Sequence, residues 1–165
     1  MDYTEVSEKL FESLVFKNWQ KKNGKCYLAH FFAEFDMLLK PDHWQVGFYE
    51  PKKDTIATFF VDGSVTLHPS ADVFKDGGVV LELDVKKVKL GAAGALERAS
   101  AVQKKKYSAH TPMKGIIILQ NLNIGTLWNV TFITQAFSAL TVKVDALSGE
   151  IVRDHLTSLF DLKEK

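Results

Sequence analysis

His30, Glu34 and Asp36 come nearest to a reactive set in this chain, and they fall in one short stretch with Cys26, CYLAHFFAEFDMLL at residues 26 to 39. Carried on one strand face, an imidazole, two carboxylates and a thiol have the chemistry to bind a metal ion or move protons. The spacing argues against it. At the strand rise, Glu34 and Asp36 stand about 13 and 20 Å from His30, too far to share one ion unless other strands contribute ligands. The plainer expectation is a polar, solvated sheet face. Cys26 as a nucleophile needs a distant histidine brought to it, and a lone cysteine at a strand start reads more economically as a small buried hydrophobe. His43, His68, His110 and His155 sit near turns or chain ends without HxH or HxxxH spacing, which predicts surface histidines. The sequence therefore predicts no catalytic residue, no metal and no cofactor.

Three further motifs have a functional and a structural reading. Gly91-Ala-Ala-Gly94 at a helix start offers free amides to a phosphate, but it lacks the Lys-Ser/Thr of a P-loop and the three-glycine dinucleotide pattern, so a tight strand-to-helix turn is expected. Lys104-Lys105-Lys106-Tyr107 is basic enough for nucleic acid, yet lysines at a helix C-terminus complement its dipole. Trp44 and Trp128 form either a ligand-stacking pair or two anchors, each holding its own helix on its own sheet. The second reading is preferred.

These residues are positioned by alternating elements. A helix capped at Asp2 or Thr4 runs to Asn23-Gly24, with Val6, Leu10, Leu14 and Trp19 in its apolar stripe. Residues 26 to 39 fit both a helix and a strand, and the aromatic content favours strand. Strands follow at 44 to 49, 55 to 61 and 64 to 68. The polar run Pro69 to Gly78 reads as a joint. Val79 to Leu90 reads as an exposed edge strand, Ala92 to Tyr107 as a second helix with a small face, and residues 115 to 122, 128 to 134 and 140 to 144 as strands, with another resuming at Ile151. Phe31, Phe32 and Phe35 fall on both faces of their strand, which predicts a cover on its second side, either the other half or another chain.

The chain has 165 residues, of which 46% are hydrophobic and 25% charged, with a formal charge of +1. Such a balance suits a globular body and gives no reason to expect nucleic acid or an anionic membrane, while near-zero net charge favours self-association. A single cysteine rules out an intrachain disulfide and fits a reducing compartment. The N-terminal stretch is acidic and amphipathic, unlike a signal peptide, and no apolar run reaches the length of a membrane span. A cytoplasmic location is the expectation.

Trp44-Gln-Val46-Gly-Phe48 and Trp128-Asn-Val130-Thr-Phe132 both read W-x-V-x-F, and each is followed by a turn, at Asp62-Gly63 and at Asp145 to Gly149. This predicts an α+β fold of two similar units, each one helix packed on a small antiparallel sheet, over residues 1–74 and 79–165, the halves packed as one cooperative body. The second W-x-V-x-F, the following VKVDALSGEIV with Asp145, Ala146, Gly149 and Glu150, and the preceding helix with Ala95, Leu96 and Ala99 resemble the PepSY family over residues 85 to 152. That resemblance implies a PepSY/cystatin-like fold and a noncatalytic module that restrains peptidases. The functional expectation is an interaction or regulatory module acting on a peptidase or another protein partner, with no nucleic acid and no membrane span. The alternative is a small-molecule binding protein with an apolar cavity between helix and sheet.

Overall fold

The N-terminal residues make two helices where the sequence predicts one. In the computed structural model, which describes residues 1–72 and 78–161, α1 (Tyr3–Glu12) starts at Asp2, whose backbone N–H donates to Glu5 Oε2 at 3.1 Å, and buries Tyr3, Val6 and Leu10. Ser13 is extended (φ −66°, ψ 142°); its hydroxyl donates to Leu10 O and accepts from Phe16 N, closing one helix and capping the next. Phe16 and Trp19 of α2 (Leu14–Asn23) turn inward, and Gly24, at φ 62°, ends the helix.

Eight strands follow: β1 (Tyr27–Phe35), β2 (Pro41–Glu50), β3 (Thr55–Val61), β4 (Val65–Asp72), β5 (Pro112–Leu122), β6 (Gly125–Thr134), β7 (Ser138–Asp145) and β8 (Ile151–Ser158). They form one antiparallel sheet in the order β4-β3-β2-β1-β5-β6-β7-β8. The expectation of two small helix-on-sheet units is therefore corrected. β1 and β5 pair from His30 opposite Gln120 to Phe35 opposite Gly115, so neither half keeps a free inner edge, an edge that would otherwise template aggregation. The internal repeat of one-helix units fails with it, since two helices precede β1 and one, α3 (Ala92–Lys106), precedes β5.

Val79 to Leu90 is not an edge strand. It crosses the end of the sheet to reach α3, with a single 3-10 turn at Val85–Lys87 and Leu83 and Val88 buried. Its backbone finds other partners than a ladder: Leu83 N donates to Leu28 O, and Lys89 N and Leu90 N both donate to Ala146 O. Residues 73–77 of the expected Pro69 to Gly78 joint lie outside the described residues, while β4 extends through Pro69 to Asp72.

All three helices cover one face of the sheet, and the core fills the space between. Trp44 and Trp128 do not anchor separate units: their rings meet at 6.4 Å in one shared core, and Tyr3 packs edge-on against Phe31 and Trp128. Each indole N–H is satisfied, Trp44 Nε1 by Met1 O and Trp128 Nε1 by Leu90 O. Ala92, Ala95 and Ala99 of α3 are buried, and their small side chains let the helix approach β6 and β7 closely. The predicted cover over the second face of β1 is not another sheet: Phe31 and Phe35 face the core, and Phe32 is left partly exposed on the open face.

Candidate functional site

On the uncovered face, a bulge at Ala29 re-aims β1. Leu28 pairs with Phe48 and faces the core, Ala29 is the extra residue, and His30, opposite Gly47, faces outward. The His30 ring occupies the space above Gly47, where an added Cβ would lie 2.3 Å from Cε1 and 2.7 Å from Nε2. Only glycine allows that approach. Around the ring, a cleft of about 540 Å³ opens between the sheet and the passing segment Val79 to Leu81, with Phe32, Ile56 and Ile118 as apolar walls and Thr58, Gln120, Asn129 and Lys143 as polar ones. The passing segment is tied down by Tyr27 Oη donating to Val80 O at 2.7 Å and Asn121 Nδ2 donating to Glu82 O at 3.0 Å.

Burial pushes the His30 imidazole from its ordinary 6.5 down to about 4, so the ring is neutral at pH 7 and offers one donor and one acceptor. Neither nitrogen has a hydrogen-bond partner among the described residues. Nearby, Asn129 Oδ1 is buried without a partner among the described residues. The cleft thus combines apolar walls with unspent hydrogen-bonding capacity, the composition of a binding site. Asp72 is the one carboxylate that lines the cleft among the described residues, and it makes no hydrogen bond to His30, so the ring is not oriented as a general base would be.

The three residues of the predicted polar cluster are separated. Glu34 and Asp36 line a different concavity of about 830 Å³ at the other end of the sheet, with Leu38, Lys40 and His43. Among the described residues, no group of three His, Cys, Asp or Glu side chains is placed to hold a metal ion. Cys26 donates to Asn23 O at 3.2 Å, and burial pushes its thiol pKa up, away from nucleophilic character. His43 is exposed beside Asp42 and Asp62, His68 stacks on Phe60 at 3.9 Å, and His155 is exposed on β8.

The remaining motif residues serve the fold. Val46, Phe48, Val130 and Phe132 are core. Asp145 accepts from Ser148 N and Leu147 N, both at 2.8 Å, and these bonds hold its carboxyl below the usual range. Buried Ala146 binds the lead-in to α3, Gly149 at φ 77° lies against the Arg98 side chain, and Glu150 is exposed, its backbone paired with Asp145. Asp62 makes the equivalent turn bond to Ser64 N, next to Gly63. At Gly91-Ala-Ala-Gly94, the chain supplies its own anion: Asp2 Oδ1 accepts from Ala92 N at 3.2 Å and fills the space above Gly91. Lys106 and Tyr107 both bind Asp154, fastening α3 to β8.

Sequence reasoning missed Gly47, Asn129, Lys143 and the carboxylate of Glu50. Gly47 did carry a signal, a glycine inside the apolar strand WQVGFY. Glu50 is only 3% exposed and accepts from Ser70 Oγ, Thr55 Oγ1 and Lys53 Nζ at 2.7, 2.8 and 3.2 Å. Burial alone would raise its pKa, but those bonds outweigh it and hold the carboxyl below the usual range.

No family model matches the chain, and no curated protein matches it. Among solved structures, a protein described as "a putative lipoprotein" from Clostridium difficile 630 superposes with a TM-score of 0.53 at 11% identity, over 87% of this chain and 90% of that one. At that identity the likeness shows a shared fold alone. Among the described residues, no helix is long and apolar enough to cross a membrane.

Proposed function

We propose that this protein is a noncatalytic binding module that takes a protein partner on the uncovered face of its sheet, around the His30 cleft. One observation carries the reading: the helices cover one face only, and the other leaves Phe32, Ile56, Phe60, Ile116, Ile118 and Ile133 partly exposed on four strands, β3, β1, β5 and β6. A face shaped for water alone alternates apolar-in with polar-out, and a broad partly exposed apolar surface is the mark of a docking site. The noncatalytic part is supported by a neutral His30 that makes no hydrogen bond to Asp72, the carboxylate lining its cleft, and by a Cys26 thiol whose pKa is raised. A peptidase is the partner class to test first, because the PepSY resemblance over residues 85 to 152 implies it.

A second reading has its own observation. At about 540 Å³ the His30 cleft is within the size range of small-ligand sites, roughly 300–1,000 Å³. It lies on the open face; the helix–sheet interface, where an apolar cavity was expected, is filled by side chains such as Trp44, Phe31, Phe59 and Trp128. Native mass spectrometry of the protein purified from its natural cells separates the two. A complex with a second polypeptide that is lost in Ile118→Arg supports the module; a monomer carrying a small-molecule mass, lost in the same variant, supports the ligand reading and refutes the first.

A further inference from the structure

The sequence brings lysines from two separate turns to one concavity. Lys21, Lys22 and Lys25 come from the end of α2 and the residues after it, and Lys52 and Lys53 from the β2–β3 turn; together they line a hollow of about 340 Å³, and all five are exposed. The helix dipole accounts for Lys21 and Lys22 in the last turn of α2. The ion pair with Glu50 accounts for Lys53; neither accounts for Lys25 and Lys52, whose approach to the others costs repulsion. Glu50 is the one carboxylate lining the hollow among the described residues. It is buried and already bonded to Lys53, Thr55 and Ser70. Asp54, next in the turn, accepts from Tyr49 Oη. The cluster is therefore a net positive surface on a chain whose total charge is only +1.

We propose that this hollow docks an acidic segment of a protein partner, an inference that rests on the partner being a protein. Two features choose a polypeptide over a small anion. The floor holds the Glu50 carboxylate and the carbonyl end of α2, both of which repel an anion placed deep, and the Lys53 and Asp54 amides of the β2–β3 turn are already given to Glu50 O. Lys53 Nζ is held by Glu50 Oε1 and Asn23 Oδ1, both at 3.2 Å, whereas Lys21, Lys22, Lys25 and Lys52 are exposed at the rim, where an extended chain with several carboxylates engages them without entering the floor. A surface of this kind acts mainly on association rate and partner choice, and its effect fades with salt.

The test uses the full chain and a fluorescein-labelled octaglutamate peptide, followed by anisotropy at 50 and 500 mM NaCl. The expected result is binding at low salt that weakens by about tenfold or more in Lys25→Glu/Lys52→Glu, is unchanged in Lys104→Glu/Lys105→Glu at the far end of α3, and disappears at high salt. Equal loss in both double variants, or no binding by the unaltered protein, overturns the proposal. So does displacement of the peptide by inorganic phosphate at matched ionic strength, because that result puts a small anion in the floor. Ile118→Arg, on the open face, is expected to bind octaglutamate normally while losing the natural partner. Absent peptide binding with partner capture intact therefore defeats this inference alone, whereas capture insensitive to Ile118→Arg defeats the open-face reading alone.

Discussion

The imidazole of His30 occupies the place of the side chain that Gly47 lacks: a methyl group there would stand 2.3 Å from Cε1 and within 2.8 Å of both ring nitrogens. The bulge at Ala29 and the cross-strand pairing of His30 with Gly47 hold this arrangement at the floor of the open-face cleft.

Gly47→Ala is expected to displace the ring and destabilise the protein by about 1–3 kcal/mol, the usual cost of overpacking. The loss is expected to shrink in the double variant with His30→Ala, because removing the ring removes the clash. Denaturant melts of the four proteins in the cycle measure it; full additivity would mean that the two positions do not interact.

Acid sensitivity should appear in two windows. His30 titrates near 6.5 when unfolded and near 4 when folded, so the unfolded chain binds the extra proton between these values and stability falls as pH drops through that window. At about 1.4 kcal/mol per pH unit, the ceiling is about 3 kcal/mol. Glu50, whose folded pKa lies below its unfolded value, contributes stability above the unfolded value that is lost at more acid pH. In His30→Gln, the decline between pH 6.5 and 4 is expected to flatten while the more acid loss stays. An unchanged upper window would show that His30 is not the group responsible.

Asp2 stands at the head of α1 and caps α3 ninety residues away through Ala92 N. Asp2→Ala is expected to cost about 1–2 kcal/mol, as for the loss of a helix cap, and to loosen α3 preferentially. Hydrogen exchange at Ala92 to Ala95 reads this directly, and unchanged protection there would remove the cap from the account.

The strands themselves were legible because their residues alternate or are rich in aromatics. Tyr27–Phe35 fits helix and strand templates alike, and its aromatic content decided correctly for strand. The break at Ser13 was hidden inside a continuous apolar stripe, Val6 to Trp19, since only the extended backbone of one serine separates the two helices. The pairing of β1 with β5 joins residues eighty to ninety positions apart, which local patterns do not encode, so one sheet was read as two. The polar cluster failed for a related reason. His30, Glu34 and Asp36 share a short stretch, but the strand rise along β1 carries them to two concavities, His30 to one and Glu34 and Asp36 to the other.

The β1–β5 seam predicts that the chain unfolds as a unit. Cutting the sheet there exposes two inner edges and the ring cluster of Tyr3, Phe31, Trp44 and Trp128 that spans it. A single calorimetric transition is expected for the full chain, and aggregation or molten behaviour for residues 1–75 alone. A sharply melting, monomeric fragment would show that the first four strands are an independent body.

The claim that the uncovered face is the working surface is tested most directly by hydroxyl-radical footprinting of the protein with and without the partner captured from its natural cells. Phe32, Ile56 and Ile118 on the open face are expected to become protected on complex formation, while Phe11, Leu14 and Val15, exposed on the helix side, keep their reactivity. Protection of the helix-side residues with the open face unchanged would contradict it.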